Sequence, residues 1–430
     1  MLYLFFVVLL CFLLIAYIDG GKSIVSPLFL LLAIISVAYV FMMINKDNWM
    51  VNLSDKFVVY ILGFILSFAI GTKLANIKVR QKRVALIDAF EEETSYYPAI
   101  IMVIVSAGAT MLFSYKMISM AYAQVGAFSI TGILRQIYNN VVEDVAIGFI
   151  FNQMLEISVA VAYISTFRFF VRVYSPNDKT SRLLLLMPIA FFFVTVLIST
   201  DRNILIRYFI YFVCLMVLFN YKKQRKVDNI KLIKLLIPFF IVAVLFFFVY
   251  GKAKNNQSNL LNTVEIYVGS GLNDFNIWID TFEGPYYFGK STFSVMLNAI
   301  HSVLGIGSKV EINRIDEFIT YVSDNGYIYG SNIYTALKPY IEDFGYFGVI
   351  IFPLVIGWVY QKLYNKALEN KPNLSWVIYA ALIYPVIYVP ILEQLFRRFH
   401  LGFIYEVVWL CIIYTFTTCI FKKKEAKKWI

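Results

Sequence analysis

Charge is scarce in this chain, and histidine and cysteine are scarcer still. Acidic and basic residues make up 15% of the 430 residues and apolar residues 60%, against roughly 25% charged in a soluble domain. That balance excludes a soluble globular protein and leaves a polytopic membrane protein. The four cysteines, Cys11, Cys214, Cys411 and Cys419, fall within or at the end of apolar runs with no paired spacing, which argues against a disulfide framework or a thiolate metal site. The two histidines are His301 and His400. No Asp-x-Asp pair, His-x-x-x-His pair or glycine-rich phosphate loop stands where it would bind a metal or a nucleotide. A cation-dependent nucleotide-sugar enzyme and an ATP-driven pump are thereby disfavoured. Internal repeats, low-complexity tracts and Pro/Gly-rich linkers are also missing, so one membrane domain with one insertion is the simplest description.

What the chain does have is long apolar runs. Segments of about the twenty residues needed to cross a bilayer occur at Leu2–Ile18, Ile24–Ile44, Phe57–Ile77, Ala99–Tyr115, Val145–Phe167, Leu183–Ser199, Ile204–Asn220, Leu235–Gly251, Phe344–Leu363, Leu374–Leu392 and Leu401–Phe421. They predict an all-α fold of about eleven spans. The first run has no basic start and no small-residue cleavage site, so it reads as a retained helix and not as a leader.

Basic residues set the orientation. Lys78, Arg80, Lys82 and Arg83 follow the third run, Arg168, Arg172, Lys179 and Arg182 the fifth, and Lys222, Lys223, Arg225 and Lys226 the seventh. Lys362, Lys366 and Lys371 follow the ninth, and Lys422, Lys423, Lys424, Lys427 and Lys428 end the chain. These loops are expected on the cytoplasmic side, so the net charge of +11 reflects topology and no nucleic acid is called for. Residues 252–340 then form a large outward loop between membrane segments 1–251 and 341–430. A loop of that length is functional or disordered, and its composition argues against disorder. Phe275, Trp278, Ile279 and Phe282 recur at helical spacing, as do Phe293, Met296, Leu297, Ile300 and Leu304. Two amphipathic helices lying on the outer membrane interface are the expectation.

Several polar residues gather on the outward side. Arg202 lies in the short connection between the sixth and seventh runs, and Arg207 lies inside the seventh, where an arginine is costly and usually functional. Asp201 neutralising Arg202, or Arg202 snorkelling to headgroups, is the plainer alternative. Arg397 and Arg398 form an outward pair against the topology rule, with surface pairing to Glu393 as the alternative. A guanidinium presents paired donors that fit a phosphate, so Arg202, Arg207, Arg314, Arg397 and Arg398 are candidate diphosphate ligands.

Ser331-Asn332-Ile333-Tyr334-Thr335, followed by Ile341-Glu342-Asp343-Phe344-Gly345-Tyr346-Phe347-Gly348, feeds the loop back into a membrane helix. Read separately, Ser331 or Asn332 would cap a short helix ended by Pro339, Glu342 and Asp343 would sit in the first turn of the next helix, and Gly345 and Gly348 would permit close helix packing. Together, an Asn-x-Tyr-Thr run, a spacer and an Asp-Phe-Gly-x-x-Gly run ahead of an apolar span resemble the signature of the Wzy-type O-antigen and capsule repeat-unit polymerases. Arg202 after an apolar span and the many helices with one large late loop add to the resemblance. The chain departs from the family habit at Asp201, where a small residue usually precedes the arginine.

The resemblance implies a fold similar to the GT-C membrane glycosyltransferases and a place in the bacterial cytoplasmic (inner) membrane, with the active site facing the periplasm or cell exterior. It implies transfer of a growing glycan from a polyprenyl diphosphate carrier to the non-reducing end of a new lipid-linked repeat unit, with no cofactor and no metal. The partners implied are the polyprenyl-diphosphate-linked oligosaccharide and the lipid bilayer, and a chain-length regulator protein is allowed. Diphosphate binding would fall to the arginines, acceptor positioning to Asn332, Tyr334 and Thr335, and the general base to Asp343, His301 or Asp274, which the sequence does not rank. An O-antigen ligase is the near alternative. A lipid-linked glycan flippase is the alternative of another class, and it would place charges inside several spans, whereas here charges mostly stop at span ends.

Overall fold

The computed structural model describes residues 1–76, 96–126, 130–142, 145–174, 181–224, 264–284, 286–310, 319–322, 328–369 and 372–417. The eighth expected span, Leu235–Gly251, and Arg314 lie outside these residues. In chain order the helices are α1 (Leu2–Asp19), α2 (Pro27–Ile44), α3 (Asp55–Asn76), α4 (Tyr97–Val125), α5 (Ile130–Val142), α6 (Phe149–Tyr174), α7 (Arg182–Ser199) and α8 (Arg202–Gln224). After a π turn at Ile266–Ser270 come α9 (Gly271–Thr281) and α10 (Ser294–Leu304), an antiparallel hairpin of β1 (Ile319–Val322) and β2 (Ile328–Ser331), α11 (Leu337–Glu369), α12 (Leu374–Leu382), α13 (Tyr384–Ile387) and α14 (Leu401–Thr415). Among the described residues eight helices, α1–α4, α6–α8 and α11, are long and apolar enough to cross a membrane. The protein is an α-helical membrane protein.

Local chemistry explains several boundaries. Pro27 and Pro98 stand in the first turns of α2 and α4, where a missing N–H is no loss. Gly126 ends α4 in the left-handed conformation and donates its N–H to the Tyr122 carbonyl. At 29 residues, α4 outruns the expected Ala99–Tyr115 at its C-terminal end. The tenth expected span is not one helix: α12 stops at Leu382 and α13 is a single turn. Pro385 explains this, since it lacks an N–H and its ring collides with the preceding turn.

The chain divides into two compact units that do not follow chain order. One holds α1–α3, α9, α10, the hairpin, α11, α13 and the turn up to His400; the other holds α4–α8, nearly all of α12 and α14. Within the first, α3 and α11 approach backbone to backbone, because a Cβ on Gly71 would lie 2.0 Å from the Leu354 carbonyl and one on Gly357 2.4 Å from that of Phe68, a small-residue contact of the membrane kind. Within the second, hydroxyls join the helices: Thr110 to Thr195 at 2.8 Å, Ser158 to Thr195 at 3.1 Å and Thr166 to Tyr208 at 2.7 Å. Such bonds hold helices together where lipid offers no hydrophobic drive between them.

The two loop stretches with helical spacing form α9 and α10, and α9 is mostly buried in the protein. Leu272, Asn273, Asp274, Phe275, Asn276 and Ile279 are all buried. Asn273 donates to the Trp49 carbonyl at 3.1 Å and Asn276 to the Asn52 carbonyl at 2.8 Å, while the Ser54 N–H returns a bond to Asn276 at 3.0 Å. α9 is therefore packed largely inside the protein, with Asn273 and Asn276 clasping the chain that leads into α3.

Candidate functional site

Residues 331–344 form a knot that sequence spacing did not foresee. Ser331 closes β2, and its hydroxyl oxygen accepts bonds from the Ser270 hydroxyl at 2.8 Å and the Ile333 N–H at 3.1 Å. Asp274 reaches the same point from α9, hydrogen-bonded by the Ser331 side chain and the Ile333 backbone. Burial, partly offset by these bonds and by the charge of Lys338, pushes its carboxyl up to about 8. The segment is pinned on its far side by the Ala336 N–H bond to the Val389 carbonyl at 2.8 Å. Asn332 is exposed, whereas Tyr334 and Thr335 are buried, so direct contact with a substrate is open to Asn332 and the other two shape what lies behind it.

Pro339 does not end a helix; it stands in the first turn of α11, where the missing N–H is tolerated. Likewise Glu342 and Asp343 close a short helical piece instead of opening the next one. Gly345, with φ 57° and ψ −140°, breaks α11 behind them. A Cβ on Gly348 would lie 2.2 Å from the Tyr340 carbonyl, although residues eight apart on a straight helix are about 12 Å apart. The chain thus folds back on itself through the Asp-Phe-Gly-x-x-Gly run. The Asp343 carboxylate accepts the N–H groups of Ser291 at 2.9 Å and Thr292 at 2.6 Å. Ser291 donates its hydroxyl to Glu342, and the Thr292 hydroxyl bonds the Pro339 carbonyl at 3.2 Å. Asp343 therefore ties the approach to α10 onto the start of α11.

Lys338 was not a sequence candidate. Its Nζ lies 3.6 Å from the centre of the Tyr334 ring, 5.6 Å from that of Trp278 and 3.9 Å from a Glu342 oxygen, and the side chain is largely buried. An ammonium over an aromatic face is worth about 2 kcal/mol or more when desolvated. The signal available was a lysine one turn before a Glu, at i, i+4, in the spacer between the two polar runs.

Beside the knot, Glu393 is a buried anchor. Its carboxylate accepts the N–H groups of Leu395 at 2.7 Å, Phe396 at 2.8 Å and Arg397 at 3.0 Å, and the Tyr340 hydroxyl at 3.3 Å. Burial raises its carboxyl, the three N–H groups and the Arg397 charge pulling the other way. Glu393 is thus buried and not at the surface, and it shapes the turn carrying Arg397 and Arg398 through backbone groups while the Arg397 charge acts on it. The Arg398 guanidinium sits 4.9 Å over the Tyr384 ring. His301 is half-buried on α10.

Arg202 and Arg207 belong to the other unit. Arg202 is the first residue of α8, and Asp201 caps that helix by accepting the Asn203 N–H at 2.8 Å, which accounts for the acid before the arginine. Arg207 pairs with Glu406 of α14 at 3.2 Å, with Glu406 buried and the Arg207 side chain largely so. Glu156 of α6 lies within electrostatic reach of both. Charges therefore do occur inside the spans, and the lone acids at positions 156 and 406 of otherwise apolar runs were the signal for them. Among the described residues no group of three His, Cys, Asp or Glu side chains is placed to hold a metal.

No family model, curated protein or solved structure matches the chain.

Proposed function

We propose that the protein is a membrane glycosyltransferase of the Wzy type, polymerising lipid-linked oligosaccharide repeat units on the outer face of the bacterial cytoplasmic membrane. One observation carries this reading: the two runs on which the resemblance rests meet at Lys338, whose ammonium lies 3.6 Å from the centre of the Tyr334 ring and 3.9 Å from a Glu342 oxygen, while Asp274 ties the first run to α9 and Asp343 ties the second to the approach to α10. Residue types that are unremarkable separately thus act as one element at the mouth of a membrane helix.

In this reading Arg397 and Arg398 stabilise charge developing on the departing diphosphate, and Asn332 orients the acceptor sugar. Tyr334, Thr335, Asp274, Asp343 and Lys338 are positioning residues, their side chains buried within the knot. His301 is the candidate that combines an imidazole with partial exposure, and it takes the acceptor proton. The test is incubation of purified protein with polyprenyl-diphosphate-linked repeat units. A ladder of longer products is expected, unchanged by chelation of divalent ions; an absent ladder, or one restored by magnesium, would count against it.

A second reading follows from Arg207, Glu406 and Glu156. Buried charges joining three helices are what a lipid-linked glycan transporter uses. Movement of intact lipid-linked repeat units across proteoliposomes without chain growth would favour it.

A further inference from the structure

We propose that the end of α10 and the turn after it insert into the boundary between lipid headgroups and acyl chains beside α11. Ile300, Val303 and Leu304 lie three and four residues apart, hence on one face, and with Ile306 they are exposed, at 38%, 60%, 63% and 65%. A soluble loop does not hold four aliphatic side chains together in water without a partner. The turn is also built to present them. Gly305 and Gly307 adopt positive φ, and the Asn298 side chain clasps Val310 by accepting its N–H at 2.8 Å and donating to its carbonyl at 3.2 Å. Ile306 is thus held outward on a strapped turn.

Position and charge select lipid as the occupant. Phe293, the residue before α10, packs its ring 5.7 Å from that of Phe352, which lies seven residues beyond the Gly345 break, about 10 Å along the membrane helix at 1.5 Å per residue. On α11, Phe347, Ile351 and Val355 are exposed at four-residue spacing, the stripe that faces lipid. α10 therefore leaves the protein alongside a surface already in the bilayer. Residues 294–310 carry Lys309 and no acid, which suits an anionic headgroup layer. α9 shares the helical spacing but buries Leu272, Phe275 and Ile279 and exposes Ile277 alone among its aliphatic side chains, so the exposed cluster belongs to α10.

The inference does not depend on the glycan chemistry, and its test reads no activity. Val303→Cys and Ile306→Cys, each in a background with the four native cysteines changed to Ala, carry an environment-sensitive fluorophore in nanodiscs of phosphatidylethanolamine and phosphatidylglycerol. Quenching by a nitroxide on the shallow part of the acyl chain and protection from aqueous iodide are expected at both positions. Glu283→Cys, an exposed polar site, should show the reverse. Iodide quenching of Val303→Cys and Ile306→Cys equal to that control would overturn the proposal, and so would protection from both quenchers, which would mean that another protein surface or a second copy covers the patch.

Discussion

Gly345 and Gly348 carry the sharpest local demands in the chain. Gly345 occupies a backbone conformation that side chains strain to adopt, and Gly348 meets a backbone carbonyl that has no flexible end to yield. Gly345→Ala is expected to destabilise by about 1–3 kcal/mol, and Gly348→Ala by at least as much, both read as a lower Tm in detergent. Gly108→Ala, with nothing within 4 Å of the added methyl, should leave Tm unchanged or raise it. Sequence reasoning marked both demanding glycines as close-packing positions; it had no means of distinguishing a helix contact from a chain reversal, because both ask for the same residue.

Asp274 gives a pH dependence whose sign can be worked out. Its carboxyl titrates at about 8 in the fold and near 3.9 in an unfolded chain. Below the lower value both states are protonated. Between the two the unfolded state ionises while the folded state keeps its proton, so stability falls as pH rises, and above about 8 the effect levels off. Asp274→Asn, a neutral mimic of the protonated acid, should flatten the fall in Tm between pH 5 and pH 8. A parallel curve in the variant would show that Asp274 is ionised in the fold. Glu393, raised by burial, contributes in the same direction and leaves a residual slope.

Helices α6, α8 and α14 meet through charge. Arg207 and Glu406 each lie five residues from the start of their helix and Glu156 seven, a depth of about 8–10 Å along each axis. Removing one partner of a buried pair costs about 3–5 kcal/mol because the other charge is left uncompensated, whereas removing both costs far less. Arg207→Met and Glu406→Leu should therefore each lower stability strongly, and the double variant should recover much of the loss, as measured by a double-mutant cycle on thermal unfolding in detergent. Additive losses would mean that the two side chains act separately. Periodicity could not reveal this meeting, since each residue is a lone charge in its own run and its partner is some two hundred positions away.

For the protein as a whole, the basic residues of the other loops predict that the 252–340 loop faces outward. Glu283→Cys, an exposed site in the same loop, should be labelled by a membrane-impermeant maleimide added to intact cells, and labelling only after permeabilisation would reverse the topology and remove the polymerase reading with it. The two compact units are built from interleaved segments, so the boundaries at 251 and 340 describe the loop as a stretch of chain; the grouping of helices by contact follows a different partition.

Composition and hydrophobic run length were enough for an α-helical membrane protein, because the bilayer requires backbone groups to be satisfied within each span and that requirement is written locally, about twenty residues at a time. The same local logic located α9 and α10 by spacing and picked out residues 331–348 as a unit. The hairpin, the break of the tenth run at Pro385, the clasp of Asp343 on Ser291 and Thr292, the burial of Lys338 and the pairing of Arg207 with Glu406 were decided in three dimensions. Each depends on which distant segment arrives at a given side chain, and a hydrogen bond or ion pair leaves no period in the sequence for its partner to be read from.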